Sequence, residues 1–171
     1  MKFVHIADMH FDTPFTGLNE KENLGDIRRL EQRKVFKKII EYIKTNEIGY
    51  LFIAGDLFDS SYVKKSTIEY INNLFKTIPD TKIFITPGNH DPYTKNSPYN
   101  TFKFSDNVYI FKGNIEKYEE KKVDIYGMGF NDFHIEISPL ENIEIEKPNK
   151  LNILITHCDL NGSKDLKRVF I

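Results

Sequence analysis

The sequence is poor in cysteine and tryptophan, and it has no excess of charge of either sign. Its 171 residues include one cysteine and no tryptophan, with 24 Lys and Arg against 25 Asp and Glu. The single cysteine, Cys158, excludes an internal disulfide framework and a zinc site built from several thiolates. The balanced charge argues against a basic nucleic-acid-binding arm and against an acidic tail.

The sequence also lacks any long apolar run. No stretch approaches the roughly 20 apolar residues that cross a bilayer, and no charged leader precedes an apolar segment at the N-terminus. We therefore expect a cytoplasmic protein with no membrane partner. The length is typical of one domain, which we place over residues 1–171, and the hydrophobic share of 40% is ordinary for a folded chain.

Short apolar runs alternate with amphipathic stretches along the chain. The runs are almost continuous in apolar residues, which indicates strands that are covered on both faces. Their positions are 3–7, 50–54, 83–86, 108–111, 123–126 and 153–156. Helices are predicted over about 27–44, with Asp26 as the N-cap, and over about 63–77. This alternation of strand and helix predicts an α/β fold with parallel strands.

Two segments are predicted to be mainly irregular. Residues 92–107 are rich in Pro, Asn, Ser, Thr and Tyr, which indicates a long ordered loop. Its aromatic side chains, among them Tyr93, Tyr99 and Phe102, either anchor the loop to the body or stack on bases. Residues 131–150 alternate acidic residues with Ile and are predicted to form an edge strand flanked by loops.

Several conspicuous residues are expected to be structural. The basic side chains of the first helix either contact a phosphate backbone or form a solvated face, and we favour the solvated face. They are Arg28, Arg29, Arg33, Lys37 and Lys38. His5 lies inside the first predicted strand, so we expect it in the core or beside the ligands rather than as a ligand. Cys158 is expected to be a small buried residue.

The residues that could carry chemistry stand where predicted strands end. They are Asp8 and His10 after the first strand, Asp56 and Asp59 after the second, Asn89, His90 and Asp91 after the third, and His157 after the last. The carboxyl ends of parallel strands meet at one edge of a sheet, where α/β folds bind their ligands. We therefore expect these side chains to converge on one site.

This set of donors predicts a metal centre. Oxygen and nitrogen ligands without thiolate suit manganese, iron or zinc better than calcium or magnesium. Asp56 is the candidate carboxylate that bridges two divalent ions about 3.5–4 Å apart. Asp8 and His10 are candidate ligands of one ion, and Asn89 and His157 of the other. A hydroxide activated by both cations would attack phosphorus in line.

His90 is the candidate catalytic residue. It lies next to a predicted ligand and would protonate the leaving oxygen or stabilise charge on the phosphoryl group. Asp59 or Asp91 would hold the imidazole in the required tautomer. For Asp91, a role in a turn or a cap stays equally open. Gly55 and Gly88 would leave room for tight turns.

Three motifs, in this order, resemble those of the calcineurin-like metallophosphoesterase superfamily. They are Asp-x-His at 8–10, Gly-Asp-x-x-Asp at 55–59 and Gly-Asn-His-Asp at 88–91. The residues around the first two motifs look more like the DNA-repair nuclease branch of the SbcD/YhaO type. The resemblance covers nearly the whole chain and implies a four-layer α/β/β/α sandwich. It also implies that the ligands named above hold the metals, that His90 is catalytic and that Asp59 supports it.

The resemblance further implies an activity and partners. Its nuclease members work with Mn²⁺ beside a coiled-coil ATPase of the SbcC type. We therefore expect a DNA exonuclease or endonuclease of DNA repair that contacts the phosphate backbone without sequence preference. A homodimer stays open. Two other functions also stay open: a phosphatase or phosphodiesterase for small substrates such as nucleotides, and a catalytically inactive truncated domain.

The sequence departs from the family pattern in one respect. The family has a later Gly-His-x-His motif that gives each metal one more histidine. None of the five histidines forms it; they are His5, His10, His90, His134 and His157. We therefore expect a fold that is incomplete at its C-terminus, either a fragment of an active parent or a truncated product. Loss of a group that supports a ligand weakens metal binding roughly 10–100-fold, and loss of a ligand should cost at least as much.

Overall fold

The computed structural model describes residues 1–15, 24–135, 143, 145 and 149–158. Within these residues the chain forms strands and helices in alternation, followed by a run of strands. In chain order they are β1 (Phe3–Ile6), α1 (Leu24–Thr45), β2 (Tyr50–Ala54), α2 (Lys65–Phe75), β3 (Lys82–Thr86), α3 (Pro98–Thr101), β4 (Val108–Ile110), β5 (Glu116–Glu119), β6 (Val123–Met128) and β7 (Leu151–Thr156).

The strands form two sheets. The first is wholly parallel, in the order β1-β2-β3-β4, and Ile53 of β2 lies beside Ile6 of β1 and Ile85 of β3. The second has the order β5-β6-β7, with β5 antiparallel to β6 and β6 parallel to β7. The predicted α/β class with parallel strands is confirmed.

The alternation of side chains along β2 explains how the layers stack. Leu51 and Ile53 face one side and pack in a core with residues of α1 and α2, while Phe52 and Ala54 face the second sheet. The described residues thus form a helix layer, a first sheet and a second sheet. They form no helix on the outer face of the second sheet, so the fourth layer of the predicted sandwich stays a prediction.

Aromatic rings fill the space between the two sheets. Phe84 lies at the centre, with ring centroids 5.9 Å from Phe52, 5.9 Å from Phe111 and 4.9 Å from Tyr118 of the second sheet. Contacts of this kind add roughly 0.5–1.5 kcal/mol each to the effect of burial. The two sheets are therefore held in register by a small number of large side chains.

Some elements differ from their predicted bounds. α1 includes Leu24, so Asp26 lies in the first helical turn rather than at the N-cap; there it pairs with Arg29 at 2.5 Å. β5 was not predicted, because its sequence Glu-Lys-Tyr-Glu carries almost no apolar signal. The short helix α3 lies within the predicted loop at 92–107. Most of the strand predicted within 131–150 lies outside the described residues.

Most of the strands were predicted to be buried on both faces. This prediction is confirmed for the strands that have a neighbour on each side, but not for the strands at the sheet edges. β2, β3 and β6 are mostly buried, whereas Phe3 of β1 and Leu151 of β7 are 53% and 52% exposed. Cys158 is exposed, so the prediction that it is buried is wrong. His5 is exposed as well, which excludes a place in the core, and its predicted place beside the ligands stays a prediction. A continuous apolar run identifies a strand but does not say whether that strand lies at a sheet edge.

The contacts of the loop aromatics and of the α1 cations favour one alternative in each of two open cases. Tyr99 is buried, and Tyr93 and Phe102 pack against the core that lies between the first sheet and the helices α1 and α2. These aromatic residues therefore anchor the loop. Cations of α1 are paired along the helix, Arg28 with Glu31 at 2.7 Å and Lys37 with Glu41 at 3.6 Å, as expected of a solvated face.

Among the described helices, none combines the length and the apolar character that a membrane crossing requires.

Replacing Phe84 with alanine tests the packing between the sheets. Phe84 is 1% exposed, so Phe84→Ala should lower the free energy of unfolding by about 3–5 kcal/mol, measured by urea denaturation. Val35→Ala is the control, because Val35 is 52% exposed on α1 and should lose less than about 1 kcal/mol. Equal losses in the two variants would contradict the described core.

Candidate metal centre

The segment that follows β1 runs beside the segment that follows β2. The backbone N–H of Asp8 donates to the carbonyl of Gly55 at 3.2 Å, and that of His10 donates to the carbonyl of Asp56 at 2.8 Å. Parallel pairing therefore continues past the ends of both strands. This continuation brings the first predicted ligand pair next to the predicted bridging carboxylate.

The backbone of this region is strained. Asp8, His10, Asp12 and Asp56 have φ values of 54°, 45°, 68° and 52°, and Gly55 has 81°. Glu47 is the one other described non-glycine residue with positive φ. Such conformations cost on the order of 1–3 kcal/mol each, and they persist where surrounding contacts enforce them, commonly at functional sites. The strain thus marks the ends of β1 and β2 as the functional edge of the first sheet.

Asp56 lies at the centre of the site. Its carboxylate is buried, with Oδ2 at 3.5 Å from His10 Nε2 and 3.3 Å from His157 Nε2, while Oδ1 accepts the backbone N–H of His90 at 2.9 Å. Two clusters of potential ligands share it: one is His10, Asp56 and His90, and the other is Asp8, Asp56 and His157. In each, the ligand atoms lie within 4.8 Å of one another. A carboxylate common to two clusters is the arrangement that bridging of two cations requires.

The clusters divide the ligands differently from the sequence analysis. There Asp8 was grouped with His10, and His157 with Asn89. In the structure Asp8 Oδ1 lies 4.0 Å from His10 Nε2, but Asp8 shares its cluster with His157. The predicted ligands do lie at one edge, and their assignment to individual ions stays a prediction.

Asn89 is held between two anchored amides. The backbone N–H groups of its neighbours Gly88 and His90 donate to the carboxylates of Asp91 at 2.7 Å and Asp56 at 2.9 Å. The bond from His90 thus fixes the loop after β3 to the loop after β2, whereas the bond from Gly88 to Asp91 closes a turn within the loop after β3. Asn89 is half-buried at the same edge, and its role as a ligand stays a prediction.

The electrostatics of His157 and Asp56 are coupled. Burial alone would lower the pKa of His157, but its hydrogen bond and charge interaction with Asp56 prevail and raise that pKa to about 9. Burial alone would raise the pKa of Asp56, but the hydrogen bonds from His157 and from the N–H of His90 hold it below its ordinary value. The metal-free site therefore contains an ion pair, and a bound cation must displace the proton of His157.

The ring of His157 is oriented by the backbone. Nδ1 lies 3.0 Å from the carbonyl oxygen of Ala54, to which it donates, so that Nε2 faces Asp56. A hydrogen bond of this kind fixes the tautomer and the ring plane of a metal-binding histidine. The neighbouring residues therefore fit a divalent cation at this place, with Nε2 as the ligand atom.

The two carboxylates proposed to support His90 have different environments. Asp59 faces His90, with Oδ2 at 3.8 Å from Nδ1 of the exposed imidazole, and the same oxygen accepts the hydroxyl of Thr13 at 3.3 Å. Asp91 is fully buried and accepts backbone N–H groups instead. No sequence motif indicated Thr13, because its contact with Asp59 arises only in the folded chain.

Two glycines permit the close approach of these side chains. Gly55 adopts φ +81°, as the predicted tight turn requires, and a Cβ there would overlap the ring of His157. Gly88 does not have a positive φ; a Cβ there would overlap the carboxylate of Asp56 and lie 2.7 Å from its backbone nitrogen. Gly88 is therefore required by space rather than by the predicted turn.

Substituting Gly88 tests this close approach. Gly88→Ala should displace the Asp56 carboxylate and weaken Mn²⁺ binding by roughly tenfold or more, measured by calorimetric titration. Gly49→Ala is the matched control, because a Cβ at Gly49 would meet no atom within 4 Å. Equal Mn²⁺ affinities for the two variants would contradict the described packing.

The ion pair predicts a pH dependence for the metal-free protein. A histidine whose pKa rises on folding contributes stability that is fully present below its unfolded pKa of 6.5 and is lost as the pH rises through about 9. The free energy of unfolding in EDTA should fall by at most about 3 kcal/mol over this range. His157→Gln should remove this fall, whereas His134→Gln, at an exposed position, should keep it. Parallel pH profiles for wild type and His157→Gln would refute the ion pair.

Comparison with known proteins agrees with this geometry. The calcineurin-like phosphoesterase family profile matches residues 1–169. The SbcD component of the nuclease SbcCD from Staphylococcus epidermidis is 27% identical over 96% of the chain, and that from Staphylococcus saprophyticus is 29% identical over 95%. The metallophosphoesterase YhaO of Bacillus subtilis is 23% identical over 76%.

The chain spans 48% and 47% of the two SbcD proteins and 34% of YhaO, so it corresponds to about half or less of the length of these relatives. The matched profile covers almost every residue, including the three motifs at the ends of the strands. The resemblance to proteins of the SbcD/YhaO type is confirmed. The chain belongs to the calcineurin-like phosphoesterase family.

Proposed function

We propose that this chain carries the catalytic site of a metal-dependent DNA exonuclease or endonuclease that acts in DNA repair in the cytoplasm. The observation that carries the proposal is the buried Asp56 carboxylate, which two clusters of potential ligands share. The names of the two staphylococcal relatives support a nuclease. The domain is proposed to span residues 1–171 and to be part of a longer protein.

The proposed ligands are those that the strand ends bring together. They are Asp8, His10, Asp56, Asn89 and His157. Two divalent cations, proposed to be Mn²⁺, supply an activated water as nucleophile and stabilise negative charge on the phosphoryl group when bound. The Asp56 carboxylate is suited to bind both cations because it is ionised, buried and already oriented by hydrogen bonds.

His90 is the proposed general acid. Its exposed imidazole belongs to the cluster with His10 and Asp56, and the centroid of its ring is 4.8 Å from that of His10. When the P–O bond breaks, a proton from His90 would neutralise the leaving oxygen. Asp59 lies 3.8 Å from Nδ1 of His90 and would orient the imidazole through this nitrogen, which leaves Nε2 to donate the proton.

The proposed substrate and partners follow the relatives. DNA would be bound through its phosphates, without sequence preference. Both staphylococcal relatives are named as one component of the nuclease SbcCD, which supports a complex with a second protein. We propose a coiled-coil ATPase of the SbcC type as that protein, and a homodimer as the assembly of the full-length protein.

Cleavage of linear DNA in Mn²⁺ tests the proposed reaction. In the full-length protein, Asp56→Asn and His90→Gln should each lower the rate by roughly 100-fold or more, because they remove a shared ligand and a proton donor. His134→Gln, with an exposed side chain, should cleave at the wild-type rate.

The same assay separates the alternatives. Hydrolysis of bis-p-nitrophenyl phosphate without cleavage of DNA would replace the nuclease with an enzyme for small substrates. A folded full-length protein with neither Mn²⁺ uptake nor hydrolysis would contradict the proposal.

Mn²⁺ affinity tests the effect of the absent Gly-His-x-His motif. The 171-residue chain should bind Mn²⁺ roughly tenfold or more weakly than a form that includes this motif, since the resemblance implies that the motif gives each ion one more histidine. Calorimetric titration measures both affinities. Two equally tight sites in the 171-residue chain would show that the motif is not needed.

A further inference from the structure

The Asp91 carboxylate has all of its acceptor positions filled. Oδ1 accepts the backbone N–H groups of Asp56 at 3.1 Å and Gly88 at 2.7 Å, and Oδ2 accepts the N–H of Phe58 at 3.0 Å and the hydroxyl of Tyr99 at 2.5 Å. A carboxylate offers about four acceptor sites, and here four donors occupy them. Asp91 is 0% exposed, so no water substitutes for a lost donor.

These contacts join three separate segments of the chain. Asp56 and Phe58 belong to the loop after β2, Gly88 to the loop after β3, and Tyr99 to α3. The loops after β2 and β3 both carry proposed ligands, and Asp91, itself in the loop after β3, is the buried carboxyl group that joins them. Tyr99 supplies the single side-chain donor among the four.

We propose that Asp91 and Tyr99 form a positioning pair that sets the Asp56 carboxylate between its two ligand clusters. The pair acts through the backbone, since Asp91 holds the N–H of Asp56 while His90 N–H holds the carboxylate of Asp56 at 2.9 Å. Asp91 would therefore contact neither the metal nor the substrate. The inference rests on the proposed metal site and assigns Asp91 a positioning role, where the sequence left a catalytic role and a turn or cap role open.

The Tyr99 hydroxyl can be removed without disturbing the packing of its ring. The ring centroid lies 5.7 Å from that of Phe58 and 6.1 Å from that of Phe104, and both contacts are available to phenylalanine. Tyr99→Phe therefore deletes one donor to a buried carboxylate and leaves the shape of the core unchanged. The substitution removes one of the four hydrogen bonds to the Asp91 carboxyl group, which destabilises this group in the folded protein.

Two matched variants control for the loss of a hydroxyl. Thr81→Val removes a buried hydroxyl that donates to the Ile48 carbonyl at 2.8 Å, before β3 begins and thus at the end of the sheet away from the site. Tyr93→Phe removes an exposed hydroxyl from the same loop as Tyr99, where it contacts Asn100 at 3.3 Å. Neither hydroxyl contacts Asp91.

The experiment measures two quantities in the 171-residue chain. Mn²⁺ affinity, from calorimetric titration, should weaken roughly tenfold in Tyr99→Phe and stay unchanged in both controls. Amide hydrogen exchange in EDTA should accelerate roughly tenfold or more at Asp56, Phe58 and Gly88 in Tyr99→Phe alone. Exchange is measured without metal, so it tests the positioning pair even if the proposed function is wrong.

The outcomes separate the two proposals. Failure of the wild-type chain to bind Mn²⁺ even at millimolar concentration would contradict the metal site. Normal affinity and unchanged exchange in Tyr99→Phe would overturn the positioning pair. A loss of stability in Tyr99→Phe that Thr81→Val matches, with both readouts unchanged, would also overturn it. If Tyr99→Phe does not fold, Asp91→Asn is the second variant, because it keeps the size of Asp91 but replaces one acceptor with a donor. It should give the same two changes, and wild-type values would overturn the pair.

Discussion

The site depends on a carboxylate that is charged although it is buried. Removing an ion such as Asp56 from water is costly unless hydrogen bonds and opposite charge compensate for the lost solvent. Here the imidazole of His157 and the backbone N–H of His90 provide that compensation. A second buried carboxylate, Asp91, fixes the backbone around the first. The same features thus hold the proposed shared ligand in a fixed, ionised state.

The rest of the fold supplies the framework for this charge. Parallel strands end at a common edge, and backbone pairing continues beyond β1 and β2 into the ligand loops. Apolar cores on both faces of the first sheet hold these strands in register, with Phe84 central to the contact between the sheets. This packing enforces the positive φ values at Asp8, His10 and Asp56, which a less constrained loop would avoid.

The sequence was informative where chemistry depends on order along the chain. Ligand residues after successive apolar runs were enough to predict a common edge, and β2 was located residue for residue. β5 was missed because its charged residues gave no pattern of strand burial. The division of ligands between clusters, the contact of Asp59 with Thr13 and that of Asp91 with Tyr99 depend on packing between distant segments. Periodicity and motif spacing contain no information about such contacts.

The central claim is that one carboxylate serves two cations. Anomalous X-ray diffraction from crystals soaked in millimolar Mn²⁺ tests it most directly, because it locates manganese without assumptions about activity. We predict two peaks about 3.5–4 Å apart, both within coordination distance of the Asp56 carboxylate. A single peak at Asp56, or two peaks that do not share it, would contradict the account.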